Sequence, residues 1–257
     1  MIMRKTAQEI KLMREAGKIA AAARQIAGKM VTAGMATQNI DRKVRDFILS
    51  HGAVPTFLGY RGFPANICIS VNEQVIHGIP SPRKLVRGDI VSVDIGVTKD
   101  GYIGDCAATF IVEEGSPESA RFVEVTRECF YEGLKFANTG NRVSDISRAV
   151  QAHAEKYGFS IVREFVGHGV GTKLHESPEI PNFVETPRRK ADPRLMPGMT
   201  LAIEPMVNEG GAKIKILNDG WTVVTADGKN SAHYENTILI TEGEPEILTV
   251  STTGDWL

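Results

Sequence analysis

The sequence predicts an α+β fold, with helices packed on one face of a mostly antiparallel sheet. Stretches with a 3.6-residue apolar period come in pairs, and each pair is followed by short alternating or apolar runs. That order, two helices then strands, occurs twice, which implies an internal duplication carried by pattern rather than by residue identity. No low-complexity linker separates the halves, so residues 1–257 read as one domain.

Thr6 and Glu9 fit a capping box, opening a first helix with Ile10, Met13, Ala16, Gly17 and Ala20 on one face. Thr37 is the expected cap of a second helix, in which Ile40, Val44, Phe47 and Ile48 face inward and Gly52 ends the run. Strands are expected at 67–71, 90–97 and 102–112. Ser116-Pro117 then starts a third helix that buries Phe122, Val125, Cys129 and Phe130. Ser144 is expected to cap a fourth, with Ile146, Ala149, Val150 and Tyr157 inward. Further strands are expected at 160–165, 200–204, 212–217, 221–225 and 237–241.

Composition excludes several classes. Lys plus Arg number 30 and Asp plus Glu 31, so nothing demands DNA or an anionic membrane. The basic run Arg188, Arg189, Lys190 is a local exception, read first as a solvated loop. Three scattered cysteines without a Cys-x-x-Cys pair argue against a disulfide framework and for a reducing compartment. The N-terminal stretch has no apolar signal core, and no apolar run approaches the roughly 20 residues of a membrane helix. A soluble, cytoplasmic chain is expected. No extended apolar surface is recognisable, which favours a monomer.

The chemistry lies in Asp94, Asp105, His168, Glu204 and Glu235. In IVSVDIGV, residues Val91, Val93, Ile95 and Val97 alternate onto one face and leave Asp94 on the other with Ser92 and Gly96. Asp100-Gly101 reads as a two-residue hairpin turn. That turn sets Asp94 opposite Ala107 and makes Asp105 its diagonal neighbour on the same face, about 7–8 Å away along the backbone. A slip of one residue would separate the two carboxylates. Solvated charge is the ordinary reading of such a pair, but the strand is too apolar for a casual edge. His168 sits among Gly167, Gly169 and Gly171, which allow close backbone approach, and His175 follows seven residues later. Glu204 ends the apolar run TLAIE and Glu235 begins ENTILIT; a carboxylate there is costly to bury unless paired or metal-bound. Oxygen ligands with one imidazole suit manganese, iron, cobalt or zinc, and bridging carboxylates can hold two ions about 3.5–4 Å apart.

The segments GHGVGTKLHESP, LAIEPM, DGWTVVT and SAHYENTILIT, with DIG before GDCAATF, resemble the type I methionine aminopeptidases of bacteria over about residues 6–250. The resemblance implies the duplicated pita-bread fold and removal of the initiator methionine from nascent chains, with a small second residue preferred. It implies that Asp94 binds one metal through both oxygens, that Asp105 and Glu235 bridge two, and that His168 and Glu204 complete the shell of the second ion. A hydroxide bridging the ions would attack the first peptide carbonyl, with the substrate's free amine at one metal and Glu204 moving the proton. His77 would steady the scissile amide and His175 would hydrogen-bond its carbonyl. Phe57, Tyr60, Phe63, Cys68 and Trp221 would wall the methionine pocket, and Asn72 and Ser231 would lie near a monovalent cation.

The chain departs from that pattern at three positions: Phe57 where close relatives often carry cysteine, Leu174 where many carry an aromatic, and His233 where glutamine is usual. His233 reads first as a hydrogen-bonding replacement for the amide and second as an extra ligand. Proline-specific relatives usually carry an additional N-terminal domain, for which there is no room before the first helix pair. The type II enzymes carry a helical insertion between the second histidine and the next glutamate, which is short here. A non-catalytic binding protein on the same scaffold would have lost ligands, and all five are present. The stretch 185–193 looks enlarged, and its basic run is a candidate for transient contact with ribosomal RNA.

Overall fold

The computed structural model describes residues 2–184 and 192–250. The basic run Arg188, Arg189, Lys190 lies outside the described residues. The first half contains α1 (Ala7–Met30), α2 (Thr37–Ser50), β1 (Val54–Pro55), β2 (Cys68–Val71), β3 (Gln74–Ile76), β4 (Ile90–Lys99) and β5 (Tyr102–Ile111). The second contains α3 (Pro117–Leu134), α4 (Val143–Lys156), β6 (Ser160–Ile161), β7 (Gly167–Gly169), β8 (Glu176–Ile180), β9 (Thr200–Ile203), β10 (Met206–Asn208), β11 (Ile214–Ile216), β12 (Val223–Thr225), β13 (Ser231–His233), β14 (Glu235–Leu239) and β15 (Glu246–Ile247).

Helix α1 begins as its capping box requires: the Glu9 backbone N–H donates to Thr6 Oγ1, and the Glu9 carboxylate accepts the Thr6 backbone N–H at 2.8 Å. Ser116 caps α3, with Pro117 in its first turn. The other two caps differ from expectation. Ala36, not Thr37, precedes α2, and the Thr37 hydroxyl instead exchanges hydrogen bonds with the Ser81 backbone. Helix α4 starts after Arg142, and Ser144 gives both its backbone N–H and its hydroxyl to the Asp192 carboxylate. In both places a partner distant in sequence, the Ser81 backbone or the Asp192 carboxylate, outcompetes the local cap. Tyr157 is exposed at the end of α4 rather than inward. The strand expected at 160–165 stops at Ile161, so Phe165 is released from the sheet.

A nine-stranded sheet runs β1-β4-β5-β14-β9-β7-β8, with β2 also on β4 and β15 also on β14; every pair in it is antiparallel. The β5–β14 pair joins the first half to the second. One apolar core lies between α1, α2 and the β2–β4 side, built on Ile40, Val44, Val93 and Ile95. A second packs α3 and α4 on the β9–β14 side, built on Phe122, Phe130, Val150 and Leu201. The two cores are the packing counterpart of the repeated sequence pattern. Both cover the outer face, which leaves the inner face free for polar groups.

Asp100 and Gly101 have φ of 49° and 82°, the positive pair that a two-residue turn with the hand of the strand twist requires. The hairpin register is the expected one: Asp94 faces Ala107 and Gly96 faces Asp105. Close beside it, α1 presses on β5 glycine to glycine. A Cβ on Gly104 would stand 2.6 Å from Gly17 Cα, and one on Gly17 would stand 2.4 Å from the Leu248 carbonyl oxygen. Helix and sheet backbone atoms thus approach to a distance that no side chain permits. Gly104→Ala should therefore lift α1 from the sheet and destabilise by about 1–3 kcal/mol, read by thermal melting as a Tm lowered by roughly 2–12 °C. An unchanged Tm would show that this contact yields without cost.

Candidate metal centre

Two neighbouring rows of the inner sheet face assemble the predicted acidic set. In the first row Cys68 of β2 pairs with Asp94 of β4, Asp94 with Ala107 of β5, and Ala107 with Glu235 of β14. Glu204 directly follows Ile203, whose partner Asn236 neighbours Glu235, so it extends the same row. The second row carries Asp105 opposite Gly96, then Thr237, Ala202 and His168. Directly opposed residues share a face, so the five predicted groups converge, with the small Ala107 and Ala202 between them leaving space. Gly167 and Gly169 bring the His168 strand in: Cβ atoms there would lie 2.4 Å from the Ala202 carbonyl oxygen and 2.5 Å from that of Ser177.

His168 Nε2 stands 3.4 Å from Glu204 Oε1 and 3.9 Å from Asp105 Oδ2. Its Nδ1 donates to the Gly169 carbonyl at 2.9 Å in the neutral ring, which leaves Nε2 as a lone pair facing the carboxylates. Burial holds this imidazole down to about 3, with His175 adding to the effect. The carboxylates move the other way. Burial pushes Asp94 up to about 7. Burial first, then the neighbouring carboxylates, raises Asp105, Glu204 and Glu235 well above the ordinary range. Asp94 Oδ1, Asp105 Oδ1 and Glu235 Oε1 are buried without a hydrogen-bond partner among the described residues. Packed carboxylates with unmatched oxygens and a neutral imidazole form a site that only cations or protons complete. The donor set fits divalent metal: ligand atoms of Asp105, His168 and Glu235 lie within 4.8 Å of one another, as do those of Glu204, His233 and Glu235.

Supporting groups are less visible in the sequence. The Thr237 hydroxyl accepts the Asp105 N–H at 3.0 Å and donates to the Asp105 carbonyl at 2.9 Å, bridging the point where β5 and β14 part. From α1, the buried Arg24 guanidinium donates to the Glu235 carbonyl and to Asn236 Oδ1, each at 3.0 Å. Its only sequence signal is a lone arginine in an alanine-rich helical run.

The centre opens into a cavity of about 510 Å³ that Phe57, Tyr60, Phe63, Cys68, Trp221, His77 and His175 all line. Phe63 and Trp221 meet edge to face at 5.1 Å. Burial, then Asp94, keeps the Cys68 thiol protonated by raising it well above its usual value. His77 has φ of 57°, a left-handed backbone that costs energy in a non-glycine residue. Its ring is wedged edge-on against Phe165 at 5.5 Å and Trp221 at 6.2 Å, and burial lowers it to about 4. His175 on the rim shares a 2.7 Å hydrogen bond between Nδ1 and Tyr60 OH. Phe165 and Arg61 also line the cavity; the apolar run at 160–165 reads as strand and so hides Phe165, and Arg61 carries no motif. Of the departing positions, Phe57 and Leu174 are buried in the wall, whereas His233 lies in the metal cluster itself. Asn72 and Ser231 are adjacent, the Ser231 N–H donating to the Asn72 carbonyl at 2.9 Å.

Comparison with known proteins matches residues 11–242 to the model of metallopeptidase family M24. A methionine aminopeptidase of Clostridium perfringens is 52% identical over 250 residues, covering 97% of this chain and 99% of the relative. The crystal structure of a methionine aminopeptidase from Thermotoga maritima superposes with a TM-score of 0.93 at 43% identity, covering 97% of this chain and 99% of that one. A prolidase from Pyrococcus furiosus shares the fold at a TM-score of 0.79 and 24% identity, covering 96% of this chain and 65% of its own. With its pita-bread fold and a family match along most of its length, the chain belongs to metallopeptidase family M24.

Proposed function

We propose that Asp94, Asp105, His168, Glu204 and Glu235 hold two divalent ions beside a methionine pocket, and that the chain is a metal-dependent aminopeptidase removing N-terminal methionine from nascent polypeptides. The observation that carries this is the convergence of the five groups, with unmatched oxygens, in one cavity with aromatic walls. Relatives named for this activity support it along the whole length. Asp94, Asp105, His168, Glu204 and Glu235 would hold the ions between them, four carboxylates balancing their charge and one neutral imidazole adding a nitrogen donor. Cobalt, manganese, iron and zinc all suit this set. When bound, the ions supply an activated water and polarise the peptide carbonyl.

The chain's own groups do the rest. Glu204, whose Oε1 stands 3.4 Å from His168 Nε2, would take the water's proton and pass it to the leaving amine. With Tyr60 OH donating to His175 Nδ1, His175 Nε2 carries the hydrogen that meets charge building on the carbonyl oxygen. His77, neutral and wedged between Phe165 and Trp221, steadies the scissile amide. Phe57, Tyr60, Phe63, Cys68 and Trp221 receive the thioether, for which sulfur–aromatic contact is favourable. Carbonyls around Asn72 and Ser231 hold a monovalent cation in this reading.

The working unit is a single domain over residues 1–257, since strands from both halves join one sheet. It acts as a monomer in the cytoplasm; among the described residues no helix is long and apolar enough to cross a membrane. Contact with the ribosome through Arg188, Arg189 and Lys190 is transient. Neutralising those three residues should weaken ribosome co-sedimentation, and unchanged sedimentation would dismiss that contact.

Chelator-stripped protein should release methionine from Met-Ala-Ser only once cobalt, manganese, iron or zinc is restored, and should leave Ala-Pro-Ser and N-acetyl-Met-Ala-Ser intact. Release of alanine from Ala-Pro-Ser would move the chain to the proline-specific branch. Glu204→Gln should lower turnover at least about 100-fold with the fold retained; near-normal turnover would sink the role of Glu204. The same assay without sodium or potassium tests the monovalent site.

Stability should report the cation requirement independently. His168 and His233 sit below their ordinary 6.5, so above that pH they are neutral in both folded and unfolded chains. Asp94, raised by burial to about 7, still binds more protons folded than unfolded there, so the metal-free protein should lose stability as pH rises from about 6.5 to 8. Added metal replaces those protons, so its Tm increment should grow over the same window. A flat metal-free Tm with no metal increment would refute the ligand set.

A further inference from the structure

Of Phe57, Leu174 and His233, only His233 lies inside the metal cluster. It ends β13 and is 1% exposed. Its backbone is held at both groups by one hydroxyl: the His233 N–H donates to Thr109 Oγ1 at 2.9 Å, and Thr109 Oγ1 donates to the His233 carbonyl at 2.8 Å. The main chain at His233 is therefore held firmly beside β5. Its Nε2 lies 3.7 Å from Glu204 Oε2 and 3.9 Å from Glu235 Oε2. Both separations are too long for hydrogen bonds, and the atom is buried with no partner among the described residues.

Separations of this size are close to those between two ligands of one ion. With metal–ligand bonds of about 2.0–2.2 Å, two atoms on a tetrahedral ion lie about 3.4 Å apart, so only a few tenths of an ångström of closure is needed. Glu204 stands between two imidazoles, turning Oε1 to His168 Nε2 at 3.4 Å and Oε2 to His233 Nε2 at 3.7 Å.

We propose that His233 is a sixth protein ligand of the metal centre, joining Glu204 and Glu235 on one divalent ion and giving the centre two imidazoles instead of one. This rests on the ligand set assigned above. An additional nitrogen donor shifts preference toward the borderline ions cobalt, nickel, zinc and iron(II), and away from manganese and magnesium, which favour oxygen.

X-ray absorption on the cobalt-loaded wild-type protein counts imidazoles directly and needs no variant. Two histidine ligands per loaded centre are expected; a single one overturns the proposal. Calorimetric titration of metal-free His233→Gln and wild type with Co²⁺ and Mn²⁺ is the second measurement, with a thermal melt to establish that the variant is folded. Cobalt affinity should fall at least about 10-fold, and manganese affinity much less. Equal cobalt affinity in a folded variant overturns the assignment of His233 alone. Failure of the wild-type protein to bind either ion overturns the whole ligand set and this proposal with it.

Discussion

Side chains along a strand alternate between faces, so a polar cluster drawn from five strands exists only if every pairing between them is held to the residue. The chain meets this constraint with local and distant devices. The Asp100-Gly101 turn sets β4 against β5. The Thr237 hydroxyl clasps both backbone groups of Asp105 where the ladder to β14 opens. Gly167 and Gly169 let the His168 strand lie against β9 and β8 more closely than any larger residue would. Gly17 and Gly104 do the same between α1 and β5, one residue from Asp105. Position in the sheet thus serves as ligand geometry.

Such a cluster opposes folding unless something positive completes it. Two like charges about 4 Å apart repel by about 4 kcal/mol even at an effective dielectric near 20, and Asp105 and Glu235 are almost fully buried. The buried Arg24 guanidinium meets main-chain carbonyls and Asn236 rather than the carboxylates. It tethers the strands from the helix side without neutralising the inner face. Protons at low pH and divalent metal at neutral pH are then alternative partners of the same oxygens, and folding, metal binding and proton uptake become one linked equilibrium. His168 and His233, both neutral, add nitrogen lone pairs without adding charge repulsion.

The pocket follows from the same sheet. Cys68 belongs to the row that carries Asp94 and Glu235, so the apolar wall and the acidic floor are contiguous by construction. Phe63, Trp221, His77 and Phe165 continue that wall as a chain of edge-to-face contacts. A long apolar side chain in the cavity therefore brings its own backbone to the carboxylates, which ties selection of the residue to the position of the bond broken.

Local chemistry made much of this legible in the sequence. Apolar period, the Thr6 and Ser116 caps and the Asp100-Gly101 turn act over a few residues, so α1, α3 and the β4–β5 hairpin could be read together with the register that sets Asp94 beside Asp105. Local setting brought Asp94, Asp105, His168, Glu204, Glu235 and His175 forward, the family resemblance added His77, and all seven line one cavity. What depended on distant partners could not be read that way. The Thr37 and Ser144 hydroxyls left their helix ends for Ser81 and Asp192, and Phe165 left its expected strand to pack on His77. Arg24 and Thr237 acquire their meaning only once α1 and β14 lie against β5. The sequence alone named the groups and the hairpin that pairs two of them. Only the tertiary structure decided that His233 faces the carboxylates of Glu204 and Glu235, because the direction of a buried ring is set by the strands on either side of it.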